Sequence, residues 1–431
     1  MLTLENNKIA AFEFYCVECK KTVSSGYRTF CDACDGMIDV RYEKSRVTLQ
    51  DSPNPYERFA AMLPVRDPLN LLPRDVVYTP TLHAKNLGAY LRMPFLYLKN
   101  ETVLPTGTTK DRMADISLAY LWEQGVRELC ASSTGNSSSS YAYAISSYPD
   151  MRLYLFTAES FVHRVNFADK PQVVHFGLRD GTFVEAFNFS GTYAQRHGLV
   201  SDRGFFNLGR REGLKIAFFE ASEQVPTPID WYVQAVSSAM GVYATYKGAQ
   251  ELLSLGRINR LPRLLCVQQE TCAPMVRAFE SGEEAIGPEH IVKRPTGIAE
   301  AILRGDPSQA YPYVLNIVLR TNGCFASVSE HEIREARRMV EELEGVSPCF
   351  SASTALAGVI KLVRKGTFPL ADTVLVNLTG SDRQPAEISS KIHWLERSGD
   401  DWISESLPVE EFIQPMKASA VTDRGRADGK R

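Results

Sequence analysis

Short apolar runs recur along this chain, and each is followed by a stretch whose apolar positions repeat at helical spacing. The run 95–99 reads as a strand, and Met113, Ile116, Tyr120 and Leu121 continue as a helix that Gly125 stops. A strand starting at Glu128, a turn, a small-residue helix over 138–148 and a strand over 152–156 come next. A charged helix start around Arg211 leads into an amphipathic helix through Ala217, Phe218, Glu220 and Ala221. Then follow a buried strand at 231–236, a helix at 242–253, a strand at 263–267 and a helix over Pro274–Glu280. Residues 323–328 read as a loop and turn before the helix Glu330–Glu344, residues 351–358 open another small-residue helix, and 373–378 is a last buried strand. Strands alternating with helices predict parallel βαβ units, and so an α/β fold. The Pro-rich region 52–80 reads as an extended lead-in segment.

Composition narrows the function classes. The chain has 431 residues, of which 44% are hydrophobic and 23% charged, enough to bury a large core in two or three domains. A net charge of -3 gives no general attraction to nucleic acid or an anionic membrane. No apolar run reaches membrane-spanning length and residues 1–8 lack a signal pattern, so a cytoplasmic protein is expected. Of nine cysteines, five are scattered among apolar residues and read as core thiols. The other four form two C-x-x-C pairs, Cys16 with Cys19 and Cys31 with Cys34. Four thiolates on two tight knuckles suit a closed tetrahedral zinc site, expected to hold together a ribbon-like segment, 1–45, that is too short for a core of its own. Ribbons of this kind also occur in nucleic-acid proteins, but the surrounding sequence is not basic, so a structural role is expected and nucleic-acid binding is not.

Candidate chemistry centres on Pro105-Thr106-Gly107-Thr108-Thr109-Lys110-Asp111-Arg112. With Thr108 as N-cap and Asp111 closing a capping box, Lys110 falls in the first helical turn. There the helix dipole and partial burial both disfavour the ammonium, leaving an amine able to attack a carbonyl; the alternative is a solvated surface lysine. The hydroxyl-rich turn Ser133-Thr134-Gly135-Asn136-Ser137 at a helix start can present N–H groups and hydroxyls to a carboxylate. Ser237-Ser238-Ala239-Met240-Gly241, between a buried strand and a helix, has the form of a phosphate cradle. It is poor in glycine, which puts its tightness in question. Glu212 and Lys215 read as a surface helical pair.

Taken in order, these motifs resemble those of the threonine synthase family, fold-type II enzymes that use pyridoxal phosphate. The Lys110 segment resembles that family's Pro-Thr-Gly-Ser-Phe-Lys-Asp-Arg signature, with Thr108 and Thr109 as departures. Ser133-Thr134-Gly135-Asn136 resembles its Ser-Thr-Gly-Asn loop, and Asn207 to Lys215 its Asn-x-x-Arg-x-Glu-Gly-x-Lys element. The resemblance spans roughly Cys16 to Asp382. It implies that Lys110 carries the cofactor and acts catalytically, that Asn136 bonds the cofactor's phenolic oxygen, and that Thr379 meets the pyridine nitrogen. By the same resemblance Ser237, Ser238, Ala239, Met240 and Gly241 hold the cofactor phosphate, and Ser133, Thr134 and Ser137 the substrate carboxylate. Arg210 is expected to line the site and pair with an anionic leaving group.

The implied architecture is two open, mostly parallel α/β domains after the zinc ribbon. A large pyridoxal-phosphate-binding domain would comprise 46–115 and 206–415, with a small mobile domain at 116–205 and a disordered tail at 416–431. The implied reaction is that of threonine synthase, from O-phosphohomoserine to threonine and phosphate. The alternatives are β-replacement on O-phosphoserine or O-acetylserine, a serine or threonine dehydratase, and a pseudoenzyme that has lost the cofactor. A small amino acid is the expected partner, with no nucleic acid and no membrane, and relatives suggest a homodimer.

Overall fold

The computed structural model describes residues 11–404 except 25, 72–75, 77, 383–387, 389–390 and 400. The expected tail at 416–431, residues 1–8 and the last part of the expected large domain lie outside the described residues. Three sheets organise the rest. A small antiparallel sheet of Thr22–Val23, Phe12–Cys16 and Ile38–Tyr42 carries the cysteine pairs. The six-stranded sheet runs Cys324–Val328, Arg263–Gln269, Trp231–Ala235, Val374–Leu378, Leu96–Asn100, Thr81–His83. All its neighbours are parallel except the Thr81–His83 edge. Trp231–Ala235, Val374–Leu378 and Leu96–Asn100 are buried at every position, as expected of parallel strands covered on both faces. The third sheet, also six-stranded, orders Asp401–Ser404, His393–Ser398, Val173–Leu178, Arg152–Ala158, Glu128–Ser132 and Val200–Ser201.

Two parts of this layout differ from the sequence reading. Residues 323–328 are not a loop, because Cys324–Val328 adds a parallel edge strand beside Arg263–Gln269. Gly323 permits the approach, since a Cβ there would stand 2.2 Å from the Leu264 carbonyl oxygen. The hairpin of His393–Ser398 and Asp401–Ser404, assigned with 206–415 to the large domain, instead extends the third sheet through Val173–Leu178. Leu395 and Trp402 pack there among Phe156, Phe176 and Tyr193. A hairpin joins whichever sheet edge its apolar residues fit, and chain order does not encode that choice.

The helix Lys110–Glu123 is locked in place by backbone contact and buried charge. It crosses Leu208–Leu214 so closely that a Cβ at Gly209 would lie 2.6 Å from Ser117 Cα, and one at Gly213 2.2 Å from the Arg112 carbonyl oxygen. Arg112, fully buried, forks onto two carboxylates, with Nε 2.7 Å from Glu101 Oε2 and Nη1 2.8 Å from Glu220 Oε1. Lys99 Nζ completes the cluster at 2.7 Å from Glu220 Oε2. The Thr79 hydroxyl donates to Glu101 Oε1 at 2.6 Å, which ties in the lead-in segment. Two cations and two carboxylates thus balance in a site without solvent.

A second buried cluster docks the small antiparallel sheet. Glu212 and Lys215, expected as a surface pair, are fully buried and 2.6 Å apart, and Lys247 Nζ is 2.6 Å from Glu212 and 2.5 Å from Asp39. Arg211, likewise read as a charged helix start, is buried and donates to the backbone carbonyls of Phe205 and Ile38. The helical spacing was right, but the face turned inward because Asp39, Tyr42 and Glu251 supply the compensating polar atoms.

Burial alone would raise the Glu101 pKa, but the Arg112 guanidinium outweighs it and holds the carboxyl at about 2, against an ordinary 4.5. A depressed carboxylate adds stability that is present above its unfolded pKa and fades as pH falls towards its folded value. Arg112→Met leaves Glu101 and Glu220 buried without their main cation, and is expected to lower the unfolding free energy at neutral pH by about 3–5 kcal/mol. In urea titrations the gap to the parent chain should narrow as pH falls from about 4.5 towards 2, because unfolded Glu101 takes up a proton over that range while folded Glu101 in the parent gains it only near the lower limit. A gap that stays constant over that range would show that the cluster does not stabilise the fold through charge.

Candidate active site

Lys110 is the first residue of its helix. The expected capping box does not form: Thr109 is already helical, the Lys110 N–H reaches Thr108 Oγ1 only at 3.4 Å, and Asp111 turns back to the preceding loop. The Asp111 carboxylate accepts from the Thr106 N–H at 2.7 Å and from the Thr106 hydroxyl. That hydroxyl lies 3.0 Å from Ser140 Oγ on Asn136–Ala144, so the lysine loop and the serine-rich helix are fixed to each other. On the other side, Thr109 N–H donates to the Thr379 carbonyl and Ser381 N–H to the Gly107 carbonyl, each at 2.9 Å, setting the Thr379 turn against the same loop.

Among the described residues the Lys110 amine has no hydrogen-bond partner. It opens on a cleft with about 1040 Å³ of free space, part of it continuous with solvent. Burial, reinforced by the nearby Arg210 charge, lowers its pKa to about 7. At neutral pH a large share of this amine is therefore uncharged and able to attack a carbonyl or accept a proton.

The cleft gathers all the other residues expected to meet cofactor or substrate: Ser133, Thr134, Asn136, Ser137, Arg210, Ser237, Ser238, Ala239, Met240, Gly241 and Thr379. Their present engagements differ. The Ser133 hydroxyl is occupied within its own loop, accepting from the N–H groups of Gly135 at 3.1 Å and Ser138 at 3.0 Å. Its hydroxyl therefore shapes the turn; Thr134 and Ser137 line the cleft beside it, with the Ser137 hydroxyl engaged by Arg210 and Met113. Gly135 has φ +118 and a Cβ there would meet the Arg164 backbone oxygen at 2.8 Å, so only glycine fits. Arg210 is buried, ion-paired to Asp202, and donates to Ser137 Oγ.

At the start of the 15-residue helix Met240–Ser254, Ala239 adopts the left-handed conformation that glycine would take freely. The cost for alanine is about 1–2 kcal/mol. The left-handed turn thus forms without glycine at that position, and the Ser237 and Ser238 hydroxyls, with no hydrogen-bond partner among the described residues, add donors at the helix N-terminus. Gly241 is needed for contact, since a Cβ there would stand 2.5 Å from Gln234 Nε2. This donor set fits a phosphate, and the neighbouring amine fits an aldehyde.

Sequence reasoning missed several lining residues. Phe183 and Phe187 sit on Phe183–His197, whose capping box of Thr182 and Glu185 was a readable start signal. Arg304 also lines the cleft, and Asp202 pairs with Arg210; neither belongs to a motif, and only the fold brings them close.

The four clustered cysteines converge away from the cleft. Their sulfurs all lie within 4.8 Å of one another, with Cys16 and Cys34 at 3.5 Å and Cys19 and Cys31 at 3.8 Å. Four thiolates at a zinc–sulfur distance of about 2.3 Å would be about 3.8 Å apart, so the donor set fits tetrahedral zinc.

Residues 73–380 match the family described as pyridoxal-phosphate dependent enzyme. The chain is similar to a cysteate synthase from Methanosarcina mazei, 26% identical over 86% of this chain and 91% of that protein. It is also similar to a threonine synthase from Methanosarcina acetivorans, 28% identical over 86% of this chain and 91% of the relative. Among solved structures, threonine synthase from Escherichia coli aligns with a TM-score of 0.56 at 16% identity, covering 75% of this chain and 78% of the other. At that identity the likeness concerns the fold.

Two outcomes are expected from the geometry. In cofactor-free protein, acylation of Lys110 followed by peptide mass spectrometry should rise with pH around a midpoint near 7; a midpoint in the ordinary lysine range would contradict the buried environment. Elemental analysis should find a single zinc per chain that disappears in the Cys31→Ser, Cys34→Ser double variant. A native, metal-free parent protein would remove the metal assignment.

Proposed function

The chain belongs to the pyridoxal-phosphate dependent enzyme family, and on that premise we propose that it replaces a leaving group on Cβ of a small α-amino acid by an incoming nucleophile. The observation that carries this reading is the meeting of an unpaired amine, a hydroxyl-rich anion loop and a phosphate cradle in one cleft. Pyridoxal phosphate would supply an electron sink conjugated to the substrate α-carbon. Lys110 would hold it covalently, Ser237 to Gly241 with the Met240–Ser254 helix start its phosphate, Asn136 its phenolic oxygen, and Thr379 its ring nitrogen. A neutral hydroxyl at that nitrogen leaves it largely unprotonated.

The chain's own groups then divide the work. Thr134, Ser137 and the start of Asn136–Ala144 orient the substrate carboxylate, and Ser133 holds that loop in shape. The Lys110 amine would remove the α-proton. The bond from Cβ to the leaving group breaks with its electron pair, the nucleophile bonds to Cβ, and Lys110 returns a proton to Cα. Phe183 and Phe187 line the cleft, and movement of the small domain would exclude water from the reactive carbons.

Cysteate bears a sulfonate on Cβ, so the similar cysteate synthases support β-replacement, with sulfite as one candidate nucleophile and O-phosphoserine or O-acetylserine as candidate substrate. The similar threonine synthases support a second reading, the O-phosphohomoserine reaction, in which the leaving group departs from Cγ and water adds at Cβ. The chain's division into a ribbon, a large domain and a small domain completed by the 393–404 hairpin is part of the proposal.

The test is a panel of O-phosphoserine, O-acetylserine, O-phosphohomoserine and serine, with and without sulfite, thiol or amine, followed by product mass and cofactor absorbance. A β-substituted product from O-phosphoserine or O-acetylserine is expected, with Lys110→Ala inactive. Threonine and phosphate from O-phosphohomoserine alone would favour the second reading. Failure to retain pyridoxal phosphate would refute both.

A further inference from the structure

Among the described residues no acidic side chain lines the cleft, while Lys110, Arg210 and Arg304 all open onto it. Arg210 is spoken for, because Asp202 balances its charge and Ser137 takes one of its N–H groups. Arg304 is held differently. It follows the turn Glu300–Ile302, and its Nε donates to the Asp306 backbone carbonyl at 3.1 Å. Its two terminal nitrogens have no hydrogen-bond partner among the described residues, and no ion pair there balances its charge. Its guanidinium carbon lies 5.7 Å from the centre of the Phe187 ring, which belongs to a helix flanking the other sheet. Arg304 therefore reaches across the cleft with its fork free. Burial works against its cationic form, the Asp306 charge offsets this in part, and Arg210 opposes it more weakly, so an anion at the free fork would gain charge-assisted hydrogen bonds.

We propose that Arg304 is the specificity-determining residue that selects phosphate monoester substrates, whose leaving group is inorganic phosphate, its terminal N–H groups donating to the phosphate oxygens. The proposal rests on the replacement chemistry above and adds the substrate class. The geometry favours phosphate over acetate, because a planar donor with both terminal nitrogens free gains most from a dianion with several oxygens.

The test compares the holoenzyme with its Arg304→Gln and Arg304→Lys variants on O-phosphoserine and O-acetylserine, and measures inorganic phosphate binding by calorimetry. Keeping pyridoxal phosphate bound leaves the cofactor cradle filled, so phosphate reports on the substrate pocket. Arg304→Gln is expected to raise KM for O-phosphoserine and weaken phosphate binding by about ten- to a hundredfold, with partial recovery in Arg304→Lys. KM for O-acetylserine and kcat should stay within about twofold. Equal losses on both substrates, no loss on either, or an effect confined to the KM of sulfite would overturn the assignment. If no amino acid reacts, the function proposed above fails, yet phosphate binding still decides. Weaker binding in Arg304→Gln supports the anion site, and unchanged or absent binding refutes it.

Discussion

The buried cluster of Arg112, Glu101, Glu220 and Lys99 is the constraint on which the rest of the structure depends. It sits two residues beyond Lys110 on the same helix, and its members come from the strand Leu96–Asn100, the turn Glu101–Val103, the helix Lys110–Glu123 and the helix Ile216–Gln224. Removing four charges from water is costly, and only a geometry that satisfies all of them at once recovers that cost. The cluster therefore tolerates little displacement of any element. Gly209 and Gly213 add a steric constraint by bringing a second helix into backbone contact with the first. Between them these contacts fix where the first turn of the lysine helix points, and so where the amine lies.

The second cluster extends the same logic outward. Asp39 and Tyr42 on the cysteine-bearing sheet meet Glu212, Lys215 and Lys247, and two of those three lie on helices that also serve the cleft. Glu212 shares Leu208–Leu214 with Arg210, and Lys247 lies on Met240–Ser254, whose start forms the cradle. A small segment that cannot fold by its own core thus braces the far side of two site-forming helices. Phe14 against Tyr120 and Phe30 against Phe206 supply the apolar part of that contact.

Electrostatics and backbone shape divide the labour inside the cleft. Desolvation lowers the Lys110 pKa without a specific hydrogen bond, which leaves the nitrogen lone pair free for chemistry. The walls contribute hydroxyls, helix starts and cations but no acidic side chain among the described residues, so the space favours anionic parts of a ligand. Ala239 shows that a turn can keep its left-handed backbone without glycine, when the strand before it and the helix after it determine its path.

The sequence by itself determined the elements and most of the chemistry. Alternation of strand and helix periods placed the buried strands near Leu96–Asn100, Trp231–Ala235 and Val374–Leu378, and the helices Pro274–Glu280 and Glu330–Glu344. The motifs around Lys110, Ser133 and Ser237 were legible because each sits where a strand ends or a helix starts, a local signal carried by neighbouring residues. Two kinds of fact were decided only by the tertiary structure. One is which face of a polar segment turns inward: Arg211, Glu212 and Lys215 look like surface residues until Asp39, Tyr42, Lys247 and Glu251, all distant in the chain, supply partners. The other is what faces a site from a distant loop, as Arg304 does without any motif, and which sheet receives the hairpin ending at Ser404. Local pattern encodes local conformation, whereas pairing of buried charges and choice of sheet edge are long-range and fixed only when the whole chain closes.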